Sequence, residues 1–188
     1  MITAVLMAGG KSTRMGRDKC LIDLNGAPMW QHQLELLLSL SPEVFVAAPG
    51  CPQWVPANAR WIPDAVRAEG PIGGLASALT RATHRHVLVL AVDMPAMTFE
   101  FLKKLSSLAD RRAGVVPQIG GQYEPLAAIY PRDALPAVED QFLVKGDNSL
   151  QALLRRLIES GLMHSYSVPS SEHHFFRNLN VPADCLGQ

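Results

Sequence analysis

A glycine-rich and basic segment follows the first apolar run of the chain. Residues 6–19 read LMAGGKSTRMGRDK, in which Gly9 and Gly10 come directly after the apolar run. Glycine has no Cβ, so backbone N–H groups in such a segment can approach a phosphate closely, and Arg14 and Lys19 can neutralise its charge. The segment is therefore predicted to be a phosphate-binding loop at the end of the first strand.

The loop matches neither of the two common glycine-rich fingerprints for phosphate. The pattern G-x-x-x-x-G-K-[ST] fails because Gly16 is followed by Arg17, and G-x-G-x-x-G is absent. No Gly-x-Ser-x-Gly elbow and no cysteine with a partner base supports covalent catalysis, so Ser12 is interpreted as a hydrogen-bond donor to phosphate. A surface turn with solvated charges is the alternative interpretation.

Two carboxylates follow predicted strands further along the chain. Asp93 follows the apolar run VLVLAV, and Asp64 follows a short run in RWIPDA. A carboxylate at such a strand end can hold Mg²⁺, which prefers one or two protein carboxylates together with phosphate oxygens of the substrate. The alternatives are a helix cap for Asp93, a role that suits Thr98 better, and a turn residue for Asp64.

Two further segments have residue types that can bind an anion or a metal. Residues 70–75, GPIGGL, open a predicted helix whose free N–H groups favour an anion or a base edge, although close backbone packing explains such glycines equally well. Asn178 and Asn180, in NLNVP, can supply oxygen ligands to a metal or cap a helix. The six histidines offer no third ligand at zinc spacing, so a zinc site is not expected.

The elements that position these segments are predicted to be alternating strands and helices. Continuous apolar runs over residues 2–7, 44–48 and 86–92 predict strands that are buried on both faces, as in a parallel sheet. Such alternation indicates an α/β fold with right-handed crossovers and helices on both faces of the sheet. Because ligands of open α/β sheets bind outside the carboxyl ends of the strands, the segments above are expected to meet at one edge.

Two helices are predicted from apolar residues at helical spacing. The first covers residues 30–38 and begins just after Pro28, a residue suited to a first helical turn. The second covers residues 150–158. Asn148 is its predicted cap, and Gly161 is predicted to end it. Both helices are expected to pack on the sheet.

The second half of the chain is predicted to complete the same sheet. Residues 113–117 predict a further strand, and residues 125–130 and 163–168 are expected to pair antiparallel near an edge. The predicted fold class is α/β, with a single Rossmann-like domain over residues 1–188. This domain has three α/β/α layers and a mostly parallel sheet with an antiparallel edge.

The overall composition favours a soluble protein without a general affinity for polyanions. The 188 residues are 48% hydrophobic, and 17 Lys and Arg balance 17 Asp and Glu, so no overall charge favours nucleic acid or an anionic membrane. No apolar stretch reaches the roughly 20 residues that cross a bilayer, and the N-terminal run lacks the preceding basic residues of a signal peptide. Three widely separated cysteines fit a reducing compartment, so a cytoplasmic location is expected.

Six segments of the chain together resemble those of a known family, the molybdenum cofactor guanylyltransferases, within the wider group of nucleotidyltransferases. In chain order they are LMAGGKSTRMGRDK, LNGAPMWQHQLELL, GPIGGLASAL, VDMP, EPLAAIY and NLNVPADC, and the resemblance spans residues 4–186. It implies transfer of GMP from GTP to the terminal phosphate of molybdopterin that carries molybdenum, with release of pyrophosphate and with Mg²⁺ as cofactor. Transient contacts with cofactor-delivery proteins or apoenzymes are further expected partners.

The resemblance implies roles for the residues of the loop. Arg14 and Lys19 would contact the phosphates of the nucleotide, and both are expected to be catalytic together with Asp93. The residues that would line the nucleotide are Met7, Ala8, Gly9 and Gly10.

Three residues further along the chain complete this implied site. Asp64 would contact the nucleoside, Asp93 would hold magnesium, and Asn180 would lie near the metal. One position departs from the family pattern, because Ala47 stands after the second strand where members often have asparagine. A nucleoside contact is then either missing or supplied by a neighbouring residue.

The identity of the substrates has alternatives. Related cytidylyltransferases usually read Ala-Ala-Gly where this chain reads Ala-Gly-Gly, and the absent side chain leaves room for a purine, which favours guanine. A sugar-phosphate or polyol-phosphate nucleotidyltransferase shares the loop, whereas a pterin acceptor needs a flat, partly apolar pocket that Tyr123 or Tyr130 could line. Those tyrosines are otherwise core residues of an edge strand. A nucleotide- or pterin-binding module without turnover is the alternative outside enzymes.

Overall fold

Strands and helices alternate along the chain, as its apolar pattern predicts. The computed structural model describes, with Lys19 and Leu24 represented by their backbone alone, residues 1–9, 19–21, 23–24, 26–65, 68 and 70–179.

The strands of the described residues form two sheets. In chain order they are β1 (Thr3–Met7), β2 (Asp23–Leu24), β3 (Ala27–Pro28), β4 (Glu43–Ala47), β5 (Arg60–Ile62), β6 (His86–Ala91), β7 (Gly114–Ile119), β8 (Gln122–Tyr123), β9 (Ala127–Pro131) and β10 (Met163–Ser167). The short strands β2 and β3 pair with each other, and the other eight form the main sheet.

The α-helices connect these strands and cover the main sheet. In chain order they are α1 (Met29–Leu40), α2 (Pro71–Arg81), α3 (Phe99–Leu108), α4 (Leu135–Glu139) and α5 (Leu150–Glu159). Among the described residues, no helix has the length and apolar character that crossing a bilayer requires.

The main sheet is mostly parallel, as predicted. Its strand order is β10-β7-β9-β6-β1-β4-β5, with β8 beside β7. The antiparallel pairings are those of β9 with β6 and β7 and that of β8 with β7. The carboxyl ends of the six remaining strands therefore lie at one edge of the sheet, together with the amino end of β9. We call this the carboxyl edge.

Side chains alternate between two hydrophobic cores, one on each face of the main sheet. Along β1, Val5 and Met7 belong to the core that α2, α4 and α5 cover, whereas Ala4 and Leu6 belong to the core under α1 and α3. All four side chains are buried. Since burial of a large apolar side chain stabilises a fold by about 1.5–3 kcal/mol, the two cores hold the three layers together.

The pairing predicted for residues 125–130 and 163–168 is wrong. The first segment forms β9, which lies between β6 and β7, and the second forms β10, which pairs parallel with β7 at the end of the sheet. Burial explains the difference. Every residue of β9 is buried, which suits an interior strand, whereas burial along β10 alternates with exposure, as expected at an edge.

The predicted cap of α5 is also wrong by one residue. Ser149 caps the helix, because its hydroxyl accepts a hydrogen bond from the N–H of Ala152 at 3.2 Å. The N–H of Ser149 in turn donates to Asp147 Oδ1 at 2.8 Å. Gly161 follows the helix with φ of 73°, as its predicted role as the stop requires.

Candidate functional site

The ends of three neighbouring strands are hydrogen-bonded to one another at the carboxyl edge. The N–H of Ala8 donates to the carbonyl of Ala47 at 2.9 Å, and the N–H of Val92 donates to the carbonyl of Met7 at 3.2 Å. The segments that follow β1, β4 and β6 therefore leave the sheet side by side. This brings the start of the predicted phosphate loop next to the turn that carries Asp93.

The predicted phosphate loop leaves and rejoins the described structure at nearby points. The Cys20 thiol donates a hydrogen bond to the carbonyl of Ala8 at 3.6 Å, so the backbone of Lys19 lies close to the end of β1. Gly9 is closely flanked, since a Cβ built on it would lie 3.1 Å from Cδ of Pro49. Outside the described residues lie the predicted site residues Gly10, Ser12, Arg14 and Asn180.

Asp93 stands two residues after β6 in a turn that is held from the C-terminal segment. Its carbonyl accepts a hydrogen bond from the N–H of Leu179 at 3.0 Å. Because Asn178 directly precedes Leu179, this contact also brings the exposed Asn178 close to Asp93 in space. The helix that follows is capped by Thr98, whose hydroxyl accepts from the N–H of Phe101 at 3.2 Å. Thr98, and not the half-buried Asp93, therefore caps this helix.

Asp64 stands two residues after β5 and packs against the start of α2. Its Oδ1 atom lies 3.3 Å from the position of a Cβ built on Gly74, and the N–H of Ala65 donates to the carbonyl of Gly73 at 3.0 Å. Burial raises the pKa of the Asp64 carboxyl. The strands that precede Asp64 and Asp93 are three positions apart in the sheet, roughly 14 Å at about 4.8 Å a strand.

Close packing explains the glycines that open α2. A Cβ on Gly73 would lie 3.1 Å from Cβ of Ala68, and one on Gly74 would lie 2.6 Å from Cε of Met7 and 3.2 Å from Cβ of Ala47. Helix α2 thus sits directly on the ends of β1 and β4. Of the two interpretations of these glycines, the structure supports close backbone approach.

The same contact explains the environment of Ala47. Its side chain is 1% exposed and faces Gly74, on the side of the sheet that α2 covers. A larger polar residue at this position would have to displace the helix. Ala47 is therefore a packing residue in this chain.

Glu124 is a carboxylate at the carboxyl edge that the sequence analysis did not single out. The residue precedes β9, and its N–H donates to the carbonyl of Pro117 at 2.9 Å. Two residues later, the carbonyl of Leu126 accepts from the N–H of Ala91, the last residue of β6, at 2.7 Å. Glu124 is half-buried and burial raises its pKa; within the described residues its carboxylate has no hydrogen-bond or ion-pair partner.

The hypothesis that Tyr130 lines a pocket is wrong. Its side chain is 0% exposed, and its hydroxyl donates to the carbonyl of Pro125 at 3.0 Å. Tyr123 is half-buried, and its backbone is bound on both sides by Gln151, at 3.2 Å to its N–H and 2.7 Å to its carbonyl. These contacts fix the segment that contains Glu124.

The described residues contain no group of three or more His, Cys, Asp or Glu side chains that could enclose a metal ion. One protein carboxylate such as Asp93, with water and phosphate oxygens as further ligands, can hold a divalent cation. This is the coordination that Mg²⁺ prefers, and it fits a half-buried carboxylate at a strand end.

We expect the Gly74→Ala variant to bind nucleotide more weakly and to be less stable. The added Cβ must displace the flexible end of Met7 and press on Ala47 and Asp64. Overpacking costs about 1–3 kcal/mol of unfolding free energy, which the better helix propensity of alanine offsets by about 1 kcal/mol. Denaturant unfolding and nucleotide titration measure the two effects. Gly50→Ala is the matched control, because no atom lies within 4 Å of a Cβ built there. Equal nucleotide affinity in both variants would contradict the prediction.

The chain is similar in sequence to proteins of one group. A family model described as the MobA-like NTP transferase domain matches residues 4–161. The molybdenum cofactor guanylyltransferase of Pseudomonas putida is 34% identical over 161 residues, which cover 82% of this chain and 83% of that protein. The molybdenum cofactor guanylyltransferase of Syntrophotalea carbinolica is 29% identical over 189 residues, which cover 97% of this chain and 88% of that protein.

A solved structure shares the fold. Molybdopterin-guanine dinucleotide biosynthesis protein A from Archaeoglobus fulgidus superposes with a TM-score of 0.76 and 24% sequence identity, over 99% of this chain and 95% of that chain. At this identity the similarity shows the fold alone. It confirms the prediction of a Rossmann-like α/β architecture.

Proposed function

The chain belongs to the MobA-like NTP transferase family, and from this membership we propose that it transfers GMP from GTP to the terminal phosphate of molybdopterin. The products are the guanine dinucleotide form of the cofactor and pyrophosphate. The names of the relatives from Pseudomonas putida and Syntrophotalea carbinolica support the proposal. The proposed location is the cytoplasm, whose reducing conditions suit three widely separated cysteines.

One observation carries the proposal: the hydrogen-bonded ends of β1, β4 and β6 form a continuous edge with Asp64 on one side and Asp93 on the other. The carboxyl ends of β5 and β6, which precede Asp64 and Asp93, are separated by a distance comparable to the length of a nucleoside triphosphate. We propose that the nucleoside lies toward Asp64 and the triphosphate toward Asp93. The loop between β1 and Lys19 would then cover the phosphates.

In this arrangement an oxygen of the acceptor phosphate attacks the α-phosphorus of GTP in line. A bond forms between that oxygen and the α-phosphorus, and the bond from the α-phosphorus to the bridging oxygen of pyrophosphate breaks. A phosphate monoester has a second pKa of about 6, so its oxygen is already deprotonated near neutral pH and needs no general base. Positioning and charge stabilisation can therefore supply most of the catalysis.

The main task of the chain is to bring two anions together. Two unit charges about 4 Å apart repel by roughly 4 kcal/mol at an effective dielectric constant near 20. Arg14 and Lys19 are proposed to offset this repulsion at the triphosphate. Asp93 would hold Mg²⁺, which supplies further positive charge at the phosphate oxygens when it is bound.

Glu124 is proposed to bind the acceptor substrate and to contribute to its recognition. It lies on the far side of Asp93 from Asp64, because β9 is next to β6 in the direction away from β1. A carboxylate repels phosphate but accepts two parallel N–H bonds, and the N–H groups of a pterin ring offer such a pair. Glu124 is half-buried and has no partner among the residues that the structure describes, which suits a group that gains its hydrogen bonds from a ligand.

The Glu124→Gln variant is expected to raise KM for molybdopterin about tenfold, the effect of weakening a hydrogen bond to a charged group. KM for GTP should stay at the wild-type value. Steady-state kinetics with each substrate varied in turn measure both constants. Glu159→Gln, at an exposed position of α5, is the control. An equal rise in both KM values would put Glu124 on the nucleotide side instead.

The proposed function is tested by pyrophosphate release from GTP. The chain is mixed with GTP, Mg²⁺ and molybdopterin, with and without bound molybdenum, and the pyrophosphate is quantified. Release that depends on the acceptor supports the proposal. GTP binding without release would instead select a nucleotide-binding module.

Two other outcomes distinguish the related transferases. Faster release with CTP than with GTP would assign a cytidylyltransferase, and release with a sugar phosphate in place of molybdopterin would assign a sugar-phosphate nucleotidyltransferase. Thermal shift with GTP, CTP, ATP and UTP gives an independent ranking, because a ligand that binds the folded state alone raises its stability.

A further inference from the structure

Helix α1 places an amide in the hydrophobic core beside the turn that carries Asp93. Gln33 is 0% exposed, among core-facing neighbours such as Met29, Leu34 and Leu37 that are apolar. Its Nε2 atom donates a hydrogen bond to the carbonyl of Met94 at 2.8 Å. Its Oε1 atom is also buried, and within the described part of the chain it has no hydrogen-bond partner.

The stability of the core alone does not favour an amide at this position. A buried polar atom without a partner loses its hydration and gains nothing in return, whereas an apolar side chain of similar length would fill the same space without that cost. A methionine at this position would match its neighbours on the helix. The single bond to Met94 is therefore the feature that distinguishes Gln33 from an ordinary core residue.

The bond to Met94 fixes a peptide group that has few other means of attachment. The residue after Met94 is Pro95, which has no backbone N–H, so the peptide group between them can be held through the carbonyl of Met94 alone. That carbonyl also accepts a bond from the N–H of Met97, at 3.1 Å, which closes the turn on itself. Through its hydrogen bond, Gln33 connects this turn to α1.

The peptide group on the other side of Met94 is fixed as well. The carbonyl of Asp93 accepts from the N–H of Leu179. Because peptide groups are planar, holding both carbonyls leaves little freedom in the two dihedral angles of Met94 and restrains the backbone of Asp93. The backbone that carries the Asp93 side chain is thus held by hydrogen bonds from Leu179, Met97 and Gln33, and the bond from Gln33 comes from a buried side chain of α1.

We propose that Gln33 is a positioning residue that holds the Asp93 turn in the geometry needed to bind a divalent cation with the nucleotide. The proposal rests on the role of Asp93 given under Proposed function. Gln33 itself does not touch the substrate or the cation.

The test compares Gln33→Met with Gln31→Met, a matched change on the same helix. Gln31 is partly exposed, and its Nε2 atom donates to Glu35 at 3.0 Å, one turn along α1. Binding of Mn²⁺ in the presence of GTP is measured by electron paramagnetic resonance, and Tm is measured by calorimetry. Gln33→Met is expected to weaken Mn²⁺ binding about fivefold, the effect of losing one hydrogen bond, with Tm unchanged or raised. Gln31→Met is expected to change neither quantity.

Two results would overturn the proposal. Unchanged Mn²⁺ affinity in Gln33→Met would show that the turn holds its geometry without the amide. A marked fall of Tm would show that the amide stabilises the core as a whole. Failure of the underlying assignment is separate, because Mn²⁺ affinity unaffected by Asp93→Asn would remove the cation from Asp93 whatever Gln33 does.

Discussion

The Asp93→Asn variant is expected to lose Mg²⁺-dependent turnover by on the order of a thousandfold, the effect of removing several kcal/mol of charge stabilisation from a phosphoryl transfer. The amide has the size of the carboxylate but no negative charge, so it is a weak ligand for Mg²⁺. The backbone bond from Leu179 to the carbonyl of Asp93 does not involve the side chain, and the turn should therefore keep its shape. Pyrophosphate release measured across a range of Mg²⁺ concentrations gives the effect.

The control for this variant is Asp133→Asn. Asp133 is an exposed carboxylate in the short turn that follows β9, at the opposite edge of the sheet from Asp93. Its loss should leave turnover unchanged. An Asp93→Asn enzyme with the wild-type dependence on Mg²⁺ would show that the metal is held elsewhere.

The Lys19→Ala variant is expected to lose turnover about a hundredfold, the effect of removing one preorganised electrostatic contact from a transition state. Its affinity for GTP should fall much less, because negative charge builds up on the leaving pyrophosphate as the bond breaks. Single-turnover kinetics and equilibrium binding of GTP separate the two quantities. Lys103→Ala, an exposed change on α3, is the control.

A different outcome would reassign Lys19. If the variant binds GTP about a hundredfold more weakly but turns over bound GTP at the wild-type rate, its charge acts equally in the ground state and the transition state. Lys19 would then be a binding residue.

The apolar runs of the sequence predicted the central strands closely because those strands are buried on both faces. The run 86–92 became His86–Ala91, and the run 2–7 became Thr3–Met7. Continuous apolar sequence of this length fits the interior of a parallel sheet better than any other short element. The partners of the later strands were harder to predict, because the composition of a short strand does not specify its neighbour. Strand β9 is the example, since its apolar residues fit an interior strand but do not identify β6 and β7 as its neighbours.

The strand-end rule located Asp64 and Asp93, and it missed Glu124 for a geometric reason. The rule considers residues that follow the carboxyl ends of parallel strands, whereas Glu124 precedes β9, which runs antiparallel to its neighbours. Gln33 was missed because a polar residue at a helical position is read as facing solvent. The structure places Asp64 and Asp93 at the carboxyl edge, and the roles of all the candidate site residues stay predictions. Gly10, Ser12, Arg14 and Asn180 lie outside the described structure.

The reversed direction of β9 has a consequence for how this scaffold can change its substrates. Because β9 runs opposite to its neighbours β6 and β7, the chain enters β9 at the carboxyl edge, whereas it leaves β6 and β7 there. The entering segment, residues 120–126, is joined to the end of β6 by the bond from the N–H of Ala91 to the carbonyl of Leu126. Among the described residues, no backbone hydrogen bond joins it to the segments after β1, β4 or β5. With the acceptor bound by Glu124 as proposed, selectivity for a new acceptor could evolve through substitutions in that one turn, without changes in the segments that are proposed to bind the nucleotide.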